Sequence, residues 1–147
     1  MKAKIIYASQ TGNTQEIVDV LKENLQDLNV EVDASECTVS SAAEFLNADL
    51  CIVATYTYGY GDLPDEIVPL FEELQGLDLS GKVFGTIGSG DMSYDDAYCK
   101  SVDDFAQVLL DAGAIKGAES VKIEFTPEGD DYQKIQEFAK ELVAHIT

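Results

Sequence analysis

The chain has 147 residues, 46% of them hydrophobic and 25% charged, which suits one compact domain that needs no metal or disulfide to fold. With 28 acidic residues against nine lysines and no arginine, its formal net charge of -19 argues against nucleic-acid binding. The charge favours encounters with basic partners, although solubility alone is the preferred explanation for most of the acidic residues. Its apolar stretches are too short for a membrane span or a leader, so we expect a cytoplasmic protein without membrane association.

Short apolar runs alternate with longer stretches of helical period along the whole chain. In chain order, the strands are predicted at residues 3–8, 30–34, 50–54, 82–87 and 121–125. The helices are predicted at 13–28, from Pro64 through Leu74, at 97–111 and at 130–146, with a short helical turn at 41–46. This alternation predicts a doubly wound parallel sheet of five strands, with helices on both faces, in a single domain spanning residues 1–147.

Sheets of this kind bind ligands outside the carboxyl ends of their strands. The loops after the first, third and fourth predicted strands are therefore the places to look for a site. Each of these three loops carries an unusual polar or aromatic segment.

The first of these loops combines hydroxyl and amide side chains with a glycine at the start of a helix. Its residues are Ser9, Gln10, Thr11, Gly12, Asn13 and Thr14. Backbone N–H groups and the helix dipole make such a position an anion site. The Gly-Lys-Ser/Thr sequence of a nucleotide-hydrolysing phosphate loop is missing, so the loop predicts neutral donors that hold an unreactive phosphate. A simple helix cap is the alternative, but a cap needs only one such residue.

The second loop, residues 55–64, alternates three tyrosines with small residues. Tyr56, Tyr58 and Tyr60 can form a tyrosine-rich turn, a protein interface or a wall for a flat ring. Gly59 and Gly61 would let the backbone approach a ligand closely.

The third loop, residues 88–98, again offers glycine, a hydroxyl and an aromatic side chain, now among acidic residues. Asp91, Asp95 and Asp96 can serve merely to cap the next helix. Two aromatic loops and a phosphate loop at one sheet edge nevertheless predict a ligand in which a planar ring is joined to a phosphate.

Cysteine and histidine residues offer no catalytic or metal-binding pattern. Cys37, Cys51 and Cys99 lack the spacing of a redox pair or a metal site. His145 is the single histidine and lies near the end of the last predicted helix, so a Ser–His or Cys–His nucleophile pair has no basis unless this one residue supplies it. We expect neither a catalytic residue nor a metal site.

Together, the three loops resemble the FMN loops of the flavodoxin family. The resemblance rests on residues 11–14 (Thr-Gly-Asn-Thr), on 57–59 with 61–64, and on 88–91 with 93–94, and it covers the whole chain in element order and length. It implies the strand order 2-1-3-4-5, with FMN at the switch between the first and third strands. The uninterrupted fifth predicted strand is similar to that of the short-chain group.

The resemblance implies a role for each loop. The first would hold the FMN phosphate, with Gly12 making the turn. Tyr58 would cover the inner face of the isoalloxazine ring, Tyr94 would stack on the outer face, and the Gly59 carbonyl would meet flavin N5. Backbone groups of Asp91 and its neighbours would bond the pyrimidine edge. The implied FMN-binding residues are Ser9, Gln10, Thr11, Gly12, Asn13, Thr14, Thr57, Tyr58, Gly59, Gly61, Ser89, Gly90, Asp91, Tyr94 and Tyr98.

Two positions depart from the family pattern. Tyr58 stands where many members have tryptophan, and Tyr60 stands where an acidic residue is common. These departures leave open whether Tyr58 or Tyr60 covers the inner face. Tyr98 competes with Tyr94 for the outer position.

The resemblance implies a monomeric electron carrier with non-covalently bound FMN, cycling at low potential between semiquinone and hydroquinone, and not an enzyme. Its partners would be a flavodoxin reductase or similar electron donor, and acceptor redox enzymes with basic docking faces. A flavoenzyme that reduces quinones is the alternative, although two stacking tyrosines would close the substrate pocket that it needs. A receiver-like signalling domain is disfavoured, because the first strand ends in Tyr7-Ala8-Ser9 rather than in an acidic cluster.

Overall fold

The computed structural model describes residues 1–146 of the chain, apart from the side chain of Asp95, so the predicted domain's last residue lies outside the description. The strands are β1 (Lys2–Tyr7), β2 (Glu31–Glu36), β3 (Leu50–Tyr56), β4 (Val83–Gly90), β5 (Ile115–Lys116) and β6 (Val121–Glu124). The α-helices are α1 (Asn13–Asp27), α2 (Val68–Leu74), α3 (Lys100–Asp111) and α4 (Asp131–Ile146). Short 3-10 helices occupy Cys37–Val39, Ala42–Asn47, Asp65–Ile67 and Met92–Ala97.

The strands form one parallel sheet in the order β2-β1-β3-β4-β5, with β6 also paired to β4. This arrangement confirms the predicted doubly wound sheet and the order 2-1-3-4-5. Strand β1 lies between β2 and β3, in register with β2 from Lys2 opposite Glu31 and with β3 from Ala3 opposite Leu50.

Helices cover both faces of the sheet, as the continuous apolar strands predict. Successive strand residues point to opposite faces, so Ile5 and Ile6 of β1 belong to two separate buried clusters. The cluster around Ile5 includes apolar residues of α1 and α4, whereas the cluster around Ile6 includes residues of α2 and α3. The three-layer packing holds β1, β3 and β4 rigidly beneath the loops that follow them.

The fifth position of the sheet differs from the prediction of one strand at 121–125. Two short segments occupy it, and both pair with β4. The Gly117 N–H still donates to the Phe84 carbonyl at 2.9 Å, but the chain then leaves β4 before rejoining it at Val121. A hydrogen bond of 2.7 Å between the Thr86 and Ser120 hydroxyls bridges the gap.

Two helices begin later than predicted. The predicted helix at 97–111 starts at Lys100, because Cys99 has φ 52°, a left-handed conformation that interrupts a right-handed helix. The segment that Pro64 was predicted to open begins as the 3-10 turn Asp65–Ile67 and becomes α-helical only at Val68. Both delays occur beside the sheet edge where the loops lie.

The three cysteines are free and buried, each with its sulfur near a backbone carbonyl. The Sγ atoms lie 3.3 Å from Glu66 O for Cys37, 3.7 Å from Phe45 O for Cys51, and 3.9 Å from Gly88 O for Cys99. Burial raises the thiol pKa to about 11 for Cys37, about 12 for Cys51 and about 11 for Cys99. All three thiols are therefore protonated at neutral pH.

We expect the native protein to be nearly inert towards Ellman's reagent at about pH 8, because the thiolate is the reactive form and all three sulfurs are buried. The same titration in concentrated guanidinium chloride should release three equivalents of the coloured product. One fast-reacting thiol in the native protein would contradict this expectation and would be assigned by Cys→Ser substitution.

Candidate functional site

Three loops open at one edge of the sheet, because the parallel strands β1, β3 and β4 end there. Tyr7 at the end of β1 is level with Ala54 of β3, and Tyr56 of β3 is level with Ser89 of β4. The first, second and third loops of the sequence, residues 9–14, 55–64 and 88–98, lie at these strand ends and include the start of α1 and the last residues of β3 and β4. Every predicted FMN-binding residue lies in one of these loops, in the first turn of α1 or at the end of β4.

The first loop leads into the N-terminus of α1, where backbone N–H groups lack an intrahelical acceptor. Gly12 precedes the helix with φ 93°, a left-handed conformation that favours glycine, and its position supplies no side-chain cap. The Ser9 hydroxyl accepts a hydrogen bond from the Gln15 N–H at 3.2 Å. Thr11 is exposed, and residues 8–14 contain neither lysine nor carboxylate. This end of the helix can therefore hold an anion through neutral donors alone.

Thr14, in the first turn of α1, is joined to the end of β4. Its hydroxyl lies 3.0 Å from that of Ser89, and the two side chains are only 1% and 3% exposed. The pair brings together residues 75 positions apart in the chain. The first and third loops are thus connected through the hydroxyl groups of Thr14 and Ser89.

The second loop contains a tight hairpin. The N–H groups of Tyr58 and Asp62 each donate to the other residue's carbonyl at 2.9 Å. Gly59 and Gly61 within it have φ 55° and φ 109°, so both adopt conformations that L-residues rarely take. The hairpin projects the rings of Tyr58 and Tyr60 outwards, with exposed fractions of 61% and 82%. These large exposed rings are available to a ligand or a partner.

Hydrogen bonds attach the second loop to the first turn of α3. The Ser101 N–H donates to the Thr57 hydroxyl at 3.0 Å, and the Ser101 hydroxyl donates to the Asp62 carbonyl at 3.2 Å. The left-handed residue Cys99 supplies no side-chain cap, so Thr57 satisfies an N-terminal donor of α3 from another loop. The Thr57 hydroxyl thus has a structural role in addition to its predicted place in the FMN site.

Replacing Thr57 by valine keeps the shape of the side chain but removes the hydroxyl that caps α3. We expect the apoprotein to lose about 0.5–2 kcal/mol of unfolding free energy, the usual cost of a lost helix cap. Urea denaturation followed by circular dichroism measures this loss. The exposed Thr38 provides the matched control Thr38→Val, and equal stability of the two variants would refute the capping role.

The third loop approaches its neighbours closely because its first residues are glycines. A Cβ at Gly88 would lie 2.0 Å from the Thr55 carbonyl oxygen, and one at Gly90 would lie 2.8 Å from Cys99 Sγ. Asp91 then begins a turn in which its carboxylate accepts from the Ser93 N–H at 2.9 Å. Hydrogen bonds from the Ser93 side chain and backbone hold the pKa of Asp91 below its usual range. The hydrogen bond from Ser93 to Asp91 thus fixes the backbone conformation at the start of this turn.

The aromatic side chains lie in different environments. The rings of Tyr60 and Tyr94 meet edge to face, with centroids 4.8 Å apart. Tyr58 instead borders a groove that also includes Gln10 of the first loop and Pro64. Tyr98 is half-buried beside Gly90, and burial raises the pKa of its phenol above the usual range. The exposed positions of Tyr58 and Tyr60 suit contact with a ring better than that of Tyr98, whereas Tyr94 is partly buried, as Tyr98 is.

Acidic side chains surround the second and third loops. Asp62, Asp65 and Asp96 are exposed there, whereas Lys100 lies under Gly61 with its ammonium paired to Asp104 at 3.1 Å. The local potential is therefore negative, in keeping with the charge of the whole chain. A redox group between these loops would acquire additional electrons against this field.

These observations fit FMN. Neutral donors at the N-terminus of α1 suit a phosphate monoester, and exposed tyrosines at the same sheet edge suit a planar ring. The sequence did not reveal that Ser101 and the Asp62 carbonyl fix the second loop, because the participating groups are 39 residues apart. The left-handed conformation of Cys99 also had no sequence signal, since cysteine has no preference for it.

Comparisons with known proteins agree with this interpretation. A sequence profile of the flavodoxin family matches residues 5–138. The protein "Probable flavodoxin 1" of Bacillus subtilis is 38% identical over 144 residues, which cover 97% of this chain and 90% of that protein. A flavodoxin structure from Streptococcus pneumoniae TIGR4 is 50% identical with a TM-score of 0.96, and 99% of each chain is covered. A short-chain flavodoxin associated with a PDU bacterial microcompartment has 38% identity and a TM-score of 0.98, covering 100% of this chain and 99% of that one.

The fold and the three loops are those of the doubly wound proteins that bind a cofactor at the switch point of their sheet. The profile match and these relatives then assign the family: the chain belongs to the flavodoxins, and it resembles their short-chain group. FMN is the cofactor, and the protein is an electron carrier in the general sense of its family. The predicted family and cofactor are thus confirmed, whereas the individual contacts with FMN remain predictions.

Proposed function

We propose that the protein carries single electrons at low potential, with FMN cycling between its semiquinone and hydroquinone states. The donor is a flavodoxin reductase or a similar protein, and the acceptors are redox enzymes with basic docking faces. The observation that carries the proposal is the meeting of a neutral anion site and exposed tyrosines at an acidic edge of the sheet. The protein supplies position and electrostatics, while the flavin supplies the redox chemistry.

The phosphate is assigned to the first loop and the first turn of α1. Ser9, Thr11 and Asn13 offer neutral hydroxyl or amide donors, and Gly12 lets the backbone turn towards the anion. Gln10 and Thr14 complete this set. An arrangement without lysine holds a phosphate that is not meant to react, because no cation polarises it for transfer.

The ring is assigned to the second and third loops. Tyr58 covers the inner face, since its groove includes Gln10 of the phosphate loop, and Tyr94 covers the outer face. Gly59 and Gly61 let the backbone of the second loop approach the ring edge. Backbone groups of residues 89–91 bond the opposite, pyrimidine edge.

The acidic surroundings support a low potential. A single negative charge at about 10 Å from the ring, with an effective dielectric constant near 20, opposes a further electron by roughly 1.7 kcal/mol. For a one-electron step this corresponds to about 70 mV, before salt screening reduces it. The same charges attract partners with basic faces and accelerate their encounter.

Neutralising two of these acids should raise the potential of the second electron transfer. We expect the double variant Asp62→Asn/Asp96→Asn to have a semiquinone/hydroquinone potential higher by several tens of millivolts at low salt. The variant Asp27→Asn/Asp111→Asn makes the same change of charge on exposed residues at the ends of α1 and α3. Equal potentials in the two variants would assign the acids to solubility and steering alone.

The proposal also covers organisation and location: one domain, a monomer, and the cytoplasm. Among residues 1–146, no helix is long and apolar enough to cross a membrane. The unusually acidic surface opposes self-association, since copies of the chain repel each other.

Cofactor identity and redox behaviour test the proposal together. Purified protein should be yellow, should release FMN rather than FAD on denaturation, and should pass through a half-reduced state during reductive titration. A colourless protein that ignores added FMN would overturn it. Steady-state oxidation of NAD(P)H with a quinone, without a separate reductase, would instead favour the quinone-reducing flavoenzyme.

A further inference from the structure

The hydroxyl pair of Thr14 and Ser89 is the starting point. Their oxygens are 3.0 Å apart and both side chains are almost completely buried. Among the hydrogen bonds of the described residues, this one alone joins the first turn of α1 to the end of β4. It therefore lies between the proposed phosphate site and the proposed ring site.

We propose that the Ser89 hydroxyl is a positioning group for the phosphate site and acts through Thr14 rather than by a side-chain contact with the ligand. The proposal rests on the proposed function, which places the phosphate at the N-terminus of α1. Ser89 belongs to β4 and not to the N-terminus of α1, and its hydroxyl is joined to that helix end through Thr14, which supports an indirect role.

The hydrogen bond between Thr14 and Ser89 has a preferred donor if Thr14 also binds the phosphate. Each hydroxyl has one proton to donate and can accept at its oxygen. A phosphate oxygen that bears no proton only accepts, so Thr14 can serve it only by donating its own proton. Ser89 must then donate to Thr14, and the two protons of the pair point in sequence towards the anion. Without Ser89, the Thr14 hydroxyl loses the partner that fixes its rotation.

Removing the Ser89 hydroxyl should therefore affect FMN and riboflavin differently. In Ser89→Ala we expect FMN affinity to fall about three- to tenfold, the worth of one hydrogen bond, while riboflavin affinity changes less than twofold. The ³¹P resonance of bound FMN should also shift, because the donor at one phosphate oxygen is no longer fixed. A role confined to folding would lower both affinities alike.

A double-mutant cycle separates an action through Thr14 from a direct contact. In a Thr14→Val background, Ser89→Ala should cause no further loss of FMN affinity, since the group that it positions is already gone. Additive losses would overturn the proposal, as would equal losses of FMN and riboflavin affinity. A wild-type protein that binds riboflavin as tightly as FMN would refute the proposed phosphate site itself. That result can be distinguished from a failure of the role proposed for Ser89, because it is measured without any substitution.

A second hydroxyl pair that involves β4 provides a control. Thr86 of β4 is buried, and Ser120, partly buried just before β6, lies 2.7 Å from it, outside the three loops. Ser120→Ala should cost similar stability and leave the ratio of FMN to riboflavin affinity unchanged. Should Ser89→Ala fold poorly, Ser89→Cys keeps nearly the same volume with a much weaker donor, and the same selective loss of FMN affinity is required of it.

Discussion

Replacing Thr11 by alanine is expected to weaken FMN binding roughly ten- to a hundredfold while leaving riboflavin binding nearly unchanged. Thr11 is exposed in a loop without lysine, so a phosphate there depends on hydroxyl and backbone donors. A hydrogen bond to a charged group contributes roughly 1.5–3 kcal/mol, which gives this range of affinities. Fluorescence titration of the apoprotein with each flavin measures the effect.

The control is Thr38→Ala, an equally exposed threonine outside the three loops, which should bind both flavins like the wild type. Ionic strength gives a second check. Since the loop has no cation and the chain carries -19 formal charges, added salt should screen repulsion of the phosphate and should not weaken FMN binding. Equal losses for FMN and riboflavin in Thr11→Ala would show that this loop does not hold the phosphate.

The sequence predicted the sheet because its signals are local and repeated. Ile5 and Ile52 lie in continuous apolar runs, which is typical of buried parallel strands, and Leu21 marks the inward face of a helix with a clear period. Very short strands could not be predicted from the sequence. Ile115 and Lys116 form a strand of two residues between glycines, which periodicity cannot detect.

The site could be predicted as a set of loops but not as a network of contacts. Parallel strands bring their carboxyl ends to one edge, so the meeting of the three loops followed from the fold alone. The pairing of Thr14 with Ser89, and of Thr57 with the Ser101 N–H, depends on how distant segments pack. Threonine and serine are common in caps and turns, and their composition does not reveal which distant group they bond.

Gly59 combines backbone freedom with an open position beside Tyr58. It has φ 55°, and a Cβ built on it would meet nothing within 4 Å. Among the hydrogen bonds of the described residues, none uses the Gly59 carbonyl, although the hairpin around it is closed by Tyr58 and Asp62. The peptide after Gly59 can therefore rotate without breaking the hairpin.

Such a rotation would serve a carrier that must rest in the half-reduced state. Flavin N5 accepts hydrogen bonds when oxidised and donates once it is protonated. A carbonyl that turns towards N5 on reduction would stabilise the half-reduced flavin by roughly 0.5–1.5 kcal/mol, and it should turn away in the oxidised protein. Glycine permits this change, because left-handed backbone costs other residues roughly 1–2 kcal/mol.

Gly59→Ala should therefore still bind FMN but accumulate less half-reduced flavin, and its first reduction potential should fall by several tens of millivolts. Reductive titration followed by visible absorption and by electron paramagnetic resonance measures both quantities. Gly129→Ala is a closely matched control, because Gly129 has φ 50°, equally open space and a position outside the three loops. It should bear the same backbone strain without any change of potential. A wild-type yield of half-reduced flavin in Gly59→Ala would show that rotation of the peptide after Gly59 does not stabilise that state. Backbone strain by itself lowers the stability of the protein but does not change the energy difference between oxidation states.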